Sequence, residues 1–529
     1  MVWFSITATV LAVLAAVYYR ITRNFDLFEI PYAKPMPFLG NLWQVFVRGL
    51  SFSEVIEKIY NSNPDSRYVG FFEFNTPLLL IRDLELIKSI AVKNFDHFPH
   101  HRLIFEPDLD PLFSKNLFSL RGERWKEIRQ ILTSAFTTSK MTSMFVLMRH
   151  RAKDYGDYFA SLSADRSKEI ELKDAFTKYF NDVSAGCAFG INVNSMKDPK
   201  NRFYVYGKEA SFETAQPFRA FAGTKFPWLC RLLGIRAFKQ EIVDFFKDLV
   251  VSTIKFREEN GIVCPDVIQL MMENREKLGP GKELTIDDIT AQAFIFFLAG
   301  FETVSTLVCF TAYEIGINEE VQKRLQDEID QVLEDCNGEV TYEAINDMKY
   351  LEAVILESLR MYPPFPATGR VCAKPFKLPP HVPGAKPYVV QQNESVCIPI
   401  YAIHHDPRYY PEPKYFNPDR FYEHSRQMFK SLSFLSFGLG PRMCIGNRFA
   451  LLATKLLLFH IFAKCDLEPC AKSFIPLKLS MNGFHMTSQN GFWLKIKPRS
   501  VKGAEPEKMA IPGTTTMLIE AILDRHPND

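Results

Sequence analysis

The spacing of apolar and polar positions changes several times along this chain, and the first stretch predicts a membrane anchor. Residues 2–19 form an uncharged, mainly apolar run that is followed by Arg20 and Arg23. At about 1.5 Å per residue such a helix is roughly 27 Å long, close to the hydrocarbon thickness of the endoplasmic reticulum. No basic residue precedes the run, which argues against a cleaved signal peptide. The charges that follow it predict that the rest of the chain is cytosolic.

After the anchor the pattern predicts a proline-rich linker and a large helical body. The linker contains Pro31, Pro35, Pro37 and Gly40, which resist helix and favour a stiff spacer. Residues 71–82 are typical of strand, with a turn-like Asn75-Thr76-Pro77. The predicted fold class is mainly α with small β-sheets (α+β). The predicted units are an anchor with its flank (1–28), one catalytic domain (29–500) and a tail without an assigned role (501–529).

Helical spacing dominates residues 121–274, and further helices follow up to Met361. The segment Thr285-Ile-Asp-Asp288 resembles a capping box, which opens a long apolar helix ending near Ile315. Strands and loops are predicted for residues 363–435, and one more helix begins near Cys444. The long apolar helix carries Glu302 at its middle, and an ionisable group is costly at the centre of a bilayer. We therefore interpret it as the buried central helix of a soluble body.

Composition narrows the choice of partners. The 529 residues are 47% hydrophobic and 23% charged, with 47 phenylalanines and a formal net charge of +2. This balance lacks the strongly basic character of nucleic-acid-binding domains, so no nucleic-acid partner is expected. The ten cysteines show neither CxxC nor zinc-type spacing, which favours reduced thiols in the cytosol.

The strongest chemical signal is the segment Phe437-Gly-Leu-Gly-Pro-Arg-Met-Cys444-Ile-Gly446, which precedes an amphipathic helix. Gly438 and Gly440 allow a tight turn and a close backbone approach to a flat cofactor. A cysteine just before a helix lies near the positive end of the helix dipole, which favours the thiolate. Arg442 adds positive charge and offers a partner for an acidic group of a ligand.

This segment resembles the haem-binding loop of the cytochrome P-450 superfamily at Phe437, Gly438, Gly440, Arg442, Cys444 and Gly446. The resemblance covers nearly the whole chain from the anchor to about residue 500, and the insect microsomal, xenobiotic-metabolising members are the most similar. It implies a haem b cofactor with Cys444 as the iron ligand. It also implies electrons from NADPH through a diflavin reductase, with a cytochrome b-type donor as a further source, and a catalytic domain on the cytosolic side of the endoplasmic reticulum membrane.

Within the long helix, Ala299-Gly-Phe-Glu-Thr303 resembles the oxygen-activation site of that family. A glycine inside a helix costs about 1 kcal/mol relative to alanine, so Gly300 suggests a required groove or distortion. The threonine hydroxyl can bond to a backbone carbonyl and can also serve a ligand. The resemblance implies a catalytic role in oxygen activation for Thr303 and assistance in proton delivery for Glu302.

Glu357-Ser-Leu-Arg360 places a carboxylate and a guanidinium at neighbouring positions of a helix. Apolar residues surround this pair in the sequence, so we expect it to be buried, where it needs further hydrogen bonds. The resemblance supplies Arg420 as that partner. We interpret Glu357, Arg360 and Arg420 as a structural core and not as catalysts.

Trp125 and Arg129 are four residues apart, so they share one helix face from which both can reach a carboxylate. The resemblance implies that this carboxylate is a haem propionate and that Arg370 binds propionate as well. Near residue 101, where relatives often have an arginine for a propionate, this chain has His101 followed by Arg102. The sequence leaves open which of the two, if either, contacts a propionate.

The resemblance also implies a substrate cavity, a membrane contact and a docking face. Five stretches are expected to line the cavity: residues 98–120, 218–226, 294–301, 364–368 and 483–486. Within them, an apolar wall for lipophilic small molecules is expected from Phe294, Phe297, Phe301, Phe365 and Phe484. Residues 221–233 are expected at the membrane interface, with a buried hairpin as the alternative. Docking of the reductase is expected at Arg121, Arg124 and Lys126.

Three functions agree with these motifs. The first is a monooxygenase that inserts one oxygen atom from O2 into a lipophilic molecule, either a xenobiotic or an endogenous lipid or hormone. The second is a haem-thiolate isomerase or dehydratase, but such relatives tend to lose the helix threonine. The third is a non-catalytic haem sensor, which does not need the Thr303–Glu302 pair.

Overall fold

The computed structural model describes residues 2–103, 110–163, 168–211, 227–236, 238–275, 283–422, 427, 431–481, 483 and 485–499. The α-helices α1 to α19 in chain order are Val2–Leu27, Trp43–Arg48, Phe52–Asn61, Leu84–Lys88, Pro111–Ser114, Gly122–Thr133, Thr138–Ser163, Leu172–Ser184, Arg202–Ala210, Pro227–Leu232, Gln240–Asn260, Val267–Asn274, Ile286–Ile317, Glu319–Asp335, Tyr342–Asp347, Lys349–Met361, Ile400–His404, Asp419–Tyr422 and Asn447–Phe462. The strands β1 to β10 are Tyr68–Glu73, Thr76–Ile81, His100–His101, Glu169–Glu171, Thr368–Val371, Phe376–Lys377, Val389–Val390, Ser395–Ile398, Cys465–Glu468 and Trp493–Pro498. The predicted mainly helical class with small sheets is confirmed.

Helix α13 is the centre of the helical body. Thr285 accepts a hydrogen bond from the Asp288 backbone N–H, and the Asp288 carboxylate accepts one from Thr285 N at 2.9 Å, so the predicted capping box is confirmed. The helix continues to Ile317, and helices α8, α11, α16 and α19 pack around it. Among the described residues, α13 is the helix with the length and hydropathy of a membrane span, and 78% of its most apolar window is buried inside the protein. Its hydrophobicity therefore serves the core.

A second hydrophobic cluster lies on the five-stranded sheet, which has the order β1-β2-β8-β5-β3. The strand predicted over residues 71–82 is in fact the antiparallel hairpin of β1 and β2, whose turn is at Phe74 and Asn75. Pro77 lies near the start of β2 opposite Phe72, before the pairing of β2 with β8 that begins at Leu78. The two further sheets are β4-β10-β9 and β6-β7.

The predicted linker packs against this sheet, so it is not a free spacer. Tyr32 bridges to Gly70, and Gly40 bridges to Glu73. The Asn41 amide donates to the Ala33 carbonyl at 3.2 Å, and its oxygen accepts from the Phe72 N–H at 2.7 Å. Because prolines lack an N–H, the other residues of this segment make its backbone hydrogen bonds. Those bonds attach the segment to the edge of β1.

Candidate functional site

The loop that carries Cys444 is shaped by two residues with positive φ. Gly438 and Gly440 have φ of 77° and 74°, and a side chain on Gly440 would overlap the Ala91 carbonyl. The Cys444 N–H donates to the Phe437 carbonyl at 2.8 Å, and a short 3-10 turn, Gly440–Arg442, precedes helix α19. Both positions therefore require the backbone freedom of glycine, as the sequence predicts.

The Cys444 thiol faces the inside of the protein. Its side chain is accessible, yet protein atoms surround it, so it opens into an internal cleft and not onto the outer surface. Burial raises the pKa of this thiol, while the Gly446 N–H bond and the charge of Arg129 act in the opposite direction. The expected preference for thiolate is thus outweighed by burial, and a bound cation is what would restore it.

Three guanidinium groups meet beside the cysteine loop. Arg129 donates to the Met443 carbonyl at 2.7 Å, and Arg442 donates to the Pro99 and Leu120 carbonyls at 2.9 and 2.8 Å. Arg370 donates to Thr368 Oγ1 at 3.1 Å. Over the part of the chain that the structure describes, none of the three has a carboxylate partner.

The electrostatic consequence is an uncompensated positive site. Burial lowers the pKa of Arg370 to about 10, and burial together with Arg370, Arg129 and Arg121 lowers the pKa of Arg442 to about 9. Clustered buried cations are unfavourable unless an anion joins them. These guanidinium groups have the chemistry to bind a ligand with carboxylate groups.

Trp125 belongs to the same site. Its ring lies under the Arg442 guanidinium, 4.0 Å from the ring centroid, and its indole N–H is buried without an acceptor among the described residues. A buried donor without a partner is costly, and a ligand atom that accepted this hydrogen bond would remove that cost. Trp125 and Arg129 are brought together with Arg442 and Cys444, as the sequence predicts.

The structure distinguishes His101 from Arg102. His101 Nδ1 lies 3.0 Å from Arg370 Nη1, and its ring stacks on Phe118 with centroids 4.4 Å apart. Burial and the neighbouring Arg370, Arg442 and Arg129 hold the pKa of His101 well below its usual value, so the ring is neutral. Arg102 instead pairs with Glu73. His101 therefore faces the guanidinium cluster, while Arg102 is committed to the sheet.

Helix α13 presents one open face next to the cysteine loop. Ala299 is exposed although it lies in the middle of a buried helix, and Thr303 on the next turn is half-buried. Phe136 links this face to the loop, because it stacks on Phe296 at 5.7 Å and lies beside Gly446. The Thr303 hydroxyl donates to the Ala299 carbonyl at 2.5 Å, as the sequence analysis anticipated. Gly300 faces Ser184, so its missing side chain allows close packing of α8.

Glu302 points in a different direction from Thr303, since consecutive helix positions differ by about 100°. Its carboxylate lies 3.5 Å from Lys173 Nζ on α8 and 3.5 Å from His485 Nε2, and it is 3% exposed. Sequence reasoning missed both partners, because no local pattern connects residues so far apart in the chain.

The predicted aromatic wall is wrong for Phe294 and Phe297. Both are fully buried, so they belong to the core. Phe294 packs edge-on against Phe246 of α11, and Phe297 packs edge-on against Phe203 of α9. Their positions put them on the face of α13 that is opposite Ala299 and Thr303. Phe301 packs on Tyr204 instead.

The remaining cavity predictions are tested only in part. Phe365 is 44% exposed, while Phe484 and residues 218–226 lie outside the described residues.

The predicted structural triad is confirmed in its geometry. Glu357 and Arg360 are fully buried and joined at 2.7 Å, and Arg420 Nε lies 3.3 Å from Glu357. The Asn417 N–H donates to the same carboxylate at 2.9 Å. The extra hydrogen bonds are those that a buried pair needs.

The predicted docking cations differ in their surroundings. Lys126 is exposed and pairs only at the surface with Glu123. Arg124 pairs with Asp288 at 3.3 Å and with Glu127 at 3.4 Å, so it ties α6 to the start of α13. Arg124 is therefore a structural residue, while Lys126 and the exposed Arg121 are available to a partner.

Comparisons with known proteins agree with this geometry. The family model described as Cytochrome P450 matches residues 30–494. Cytochrome P450 9e2 of Blattella germanica is 43% identical over 511 residues, which are 90% of this chain and 95% of that protein. Probable cytochrome P450 9f2 of Drosophila melanogaster is 39% identical over 515 residues, covering 92% and 98% of the two chains. The predicted family and its insect subgroup are confirmed.

Proposed function

Because the chain belongs to the cytochrome P450 family and is thus a haem-dependent monooxygenase, we propose that it oxidises lipophilic small molecules with Cys444 as the haem ligand. The observation that carries the ligand assignment is the juxtaposition of an enclosed thiol with three guanidinium groups that have no carboxylate partner among the described residues. An iron ligand and an anion site side by side fit a flat metal cofactor with two carboxylates.

The protein's own residues bind and orient this group. When bound, haem supplies the redox chemistry that activates dioxygen. Cys444 would hold the iron, and the turn at Gly438 and Gly440, with Phe437 beside it, keeps the thiol pointing into the cleft. A cationic set would bind the carboxylates of the cofactor, and the Trp125 indole N–H would donate to one of them. That set consists of Arg129, Arg370 and Arg442.

Thr303 and Glu302 of helix α13 take part in proton transfer in this proposal. The Thr303 hydroxyl, bonded to the Ala299 carbonyl, holds a proton donor at the open face of α13. Glu302 is a buried carboxylate on the same helix and supplies protons toward that hydroxyl. This pair favours monooxygenation over isomerisation or sensing, neither of which requires proton delivery.

The enzyme acts at the endoplasmic reticulum membrane in this proposal. Helix α1 covers the predicted anchor, and its side chains Ile6 and Val13 are exposed. Trp228, Leu232 and Leu233 at and after α10 are also exposed, which supports an interfacial contact there. NADPH provides the electrons through a diflavin reductase, for which Lys126 and Arg121 offer positive charge on the α6 side.

The ligand assignment is tested by the difference spectrum of the reduced, carbon-monoxide-bound protein. The parent should show the red-shifted Soret band of thiolate ligation, and Cys444→Ala should lose it. Cys336→Ala removes another unpaired, half-buried cysteine and should keep the band. A thiolate-type band that persists in Cys444→Ala would show that a different residue is the ligand.

A further inference from the structure

The segment between α5 and α6, residues 115–120, lies beside the cysteine loop and has no regular helix or strand. Leu117 and Ser119 are buried there, while Phe118 between them is exposed. Buried backbone groups outside regular elements need hydrogen-bond partners from elsewhere in the protein. The position of this segment therefore depends on side chains that other elements provide.

One of these side chains is Gln292 of α13, which is fully buried. Its Oε1 accepts a hydrogen bond from the Leu117 N–H at 2.9 Å, and its Nε2 donates to the Lys115 carbonyl at 2.6 Å. A buried amide costs free energy unless it is hydrogen-bonded, and an apolar residue would pack in the same place without that cost. The two bonds to the segment therefore account for an amide at this position of an otherwise apolar helix.

Arg442 holds the same segment from the side of the cysteine loop. Its guanidinium donates to the Leu117 carbonyl at 3.3 Å and to the Leu120 carbonyl at 2.8 Å. The backbone of Leu117 is thus bonded to α13 through its N–H and to the cysteine loop through its carbonyl. A shift of the segment along α13 would therefore also displace the carbonyl groups that Arg442 contacts.

Gln292 lies on the same face of α13 as Ala299 and Thr303. At about 100° per residue, separations of seven and eleven residues return to within roughly 20° of one direction. A rise of about 1.5 Å per residue puts Gln292 roughly 10 Å along the helix from Ala299. Because the exposed Ala299 marks the open face, residues 115–117 cover α13 where that face ends, and they form a wall of the cleft.

Phe118 is the exposed side chain of this wall. Its ring stacks on His101 with 13° between the ring planes, and His101 lies against Arg370 of the guanidinium cluster. The stack covers one side of the ring, yet 45% of the residue stays accessible. An accessible aromatic ring packs well against lipophilic and aromatic ligands.

We propose that Gln292 is a positioning residue that holds residues 115–120 on α13 and so sets where Phe118 meets a ligand bound in the cleft. The ligands that depend on it are lipophilic molecules with an aromatic group, since such a group can stack or pack edge-on against Phe118. Gln292 is itself fully buried, so it acts through the segment and does not touch the ligand. This inference rests on the proposed function.

The test compares Gln292→Met with the matched variant Gln322→Met in the full-length protein loaded with haem. Gln322 of α14 is also buried, and it accepts from the Leu467 N–H at 2.8 Å and donates to the Leu467 carbonyl at 2.9 Å. Methionine has nearly the length of glutamine and no N–H donor. Both variants therefore lose the same kind of paired bond and should have a lower Tm, but only Gln292→Met releases a wall of the cleft.

Two nitrogen ligands of haem iron serve as probes, and the absorbance shift on iron binding gives the Kd of each. Clotrimazole carries three aryl rings that fill the space around the iron, whereas imidazole contacts little beyond the iron. Gln292→Met should weaken clotrimazole binding about tenfold and leave the Kd of imidazole within about twofold of the parent. Gln292→Asn keeps an amide that is one methylene too short, and this milder variant should show the same selective loss. Gln322→Met should leave both constants unchanged.

A double variant tests whether Gln292 acts through Phe118. Phe118→Ala alone should weaken clotrimazole binding, because the ring that contacts the ligand is removed. Adding Gln292→Met to Phe118→Ala should then change the Kd by less than about twofold, since two changes that act through one contact are not additive.

The outcomes separate this inference from the proposed function. Parental clotrimazole binding in both Gln292→Met and Gln292→Asn overturns the inference alone, and so does an equal loss in Gln322→Met. Equal losses of clotrimazole and imidazole in Gln292→Met also overturn it, because they would place the effect at the iron. A parent in which neither ligand shifts the absorbance overturns the proposed function and this inference together.

Discussion

Glu314, in the last turn of α13, provides a test of the structure that does not depend on catalysis. Its carboxylate is 6% exposed and accepts a hydrogen bond from the Tyr362 hydroxyl at 2.6 Å and another from the Asn318 amide at 3.3 Å. Burial raises its pKa from 4.5 to about 7, with Glu357 adding to the effect and Arg360 opposing it. A negative charge at the carboxyl end of a helix is also unfavourable.

The sign of the effect follows from proton binding. Between pH 4.5 and 7 the folded protein keeps this proton and the unfolded chain loses it, so stability falls as the pH rises. Each tenfold change in proton affinity corresponds to about 1.4 kcal/mol, which gives a loss of ~3 kcal/mol above pH 7. Glu314→Gln keeps an acceptor for Tyr362 without the charge. The difference in unfolding free energy between this variant and the parent should therefore be near zero at pH 5. At pH 8 the variant should be the more stable of the two, by the largest margin.

Calorimetric unfolding at a fixed scan rate measures this difference. For a chain of this length ~3 kcal/mol corresponds to about 3 °C in Tm. Glu334→Gln changes an exposed glutamate on α14 and should show no pH-dependent difference from the parent. A Tm difference between Glu314→Gln and the parent that is equal at pH 5 and pH 8 would refute the reasoning.

Three further predictions concern the site. Thr303→Ala should leave haem content unchanged and raise the share of NADPH electrons that end as hydrogen peroxide; coupling equal to the parent would remove the proton role. His101→Leu should speed haem loss to a scavenger protein about fivefold, the equivalent of one hydrogen bond, whereas Arg102→Leu should lower Tm without changing haem loss. Lys126→Glu should slow the reduction of the haem iron by the reductase at low salt and leave peroxide-supported turnover unchanged. Equal reduction rates for the variant and the parent across a salt series would contradict this docking role.

The sequence alone determined the features that depend on neighbouring residues. The cysteine loop needs two glycines because its backbone turns through positive φ next to Ala91, and that requirement is visible in the residue types. The capping box of α13 and the Glu357–Arg360 pair follow from spacings of three residues on a helix. Such local rules fix geometry before any tertiary contact forms.

The tertiary structure decided which face each element presents. Spacing on α13 could not show that Phe294 and Phe297 face the core while Ala299 and Thr303 face the cleft, because that depends on where α9 and α11 pack. The same holds for His101, which faces the guanidinium groups while its neighbour Arg102 turns to the sheet. Glu302 meets Lys173 and His485 only after distant segments fold together, and electrostatic partners of that kind leave no local pattern in a sequence.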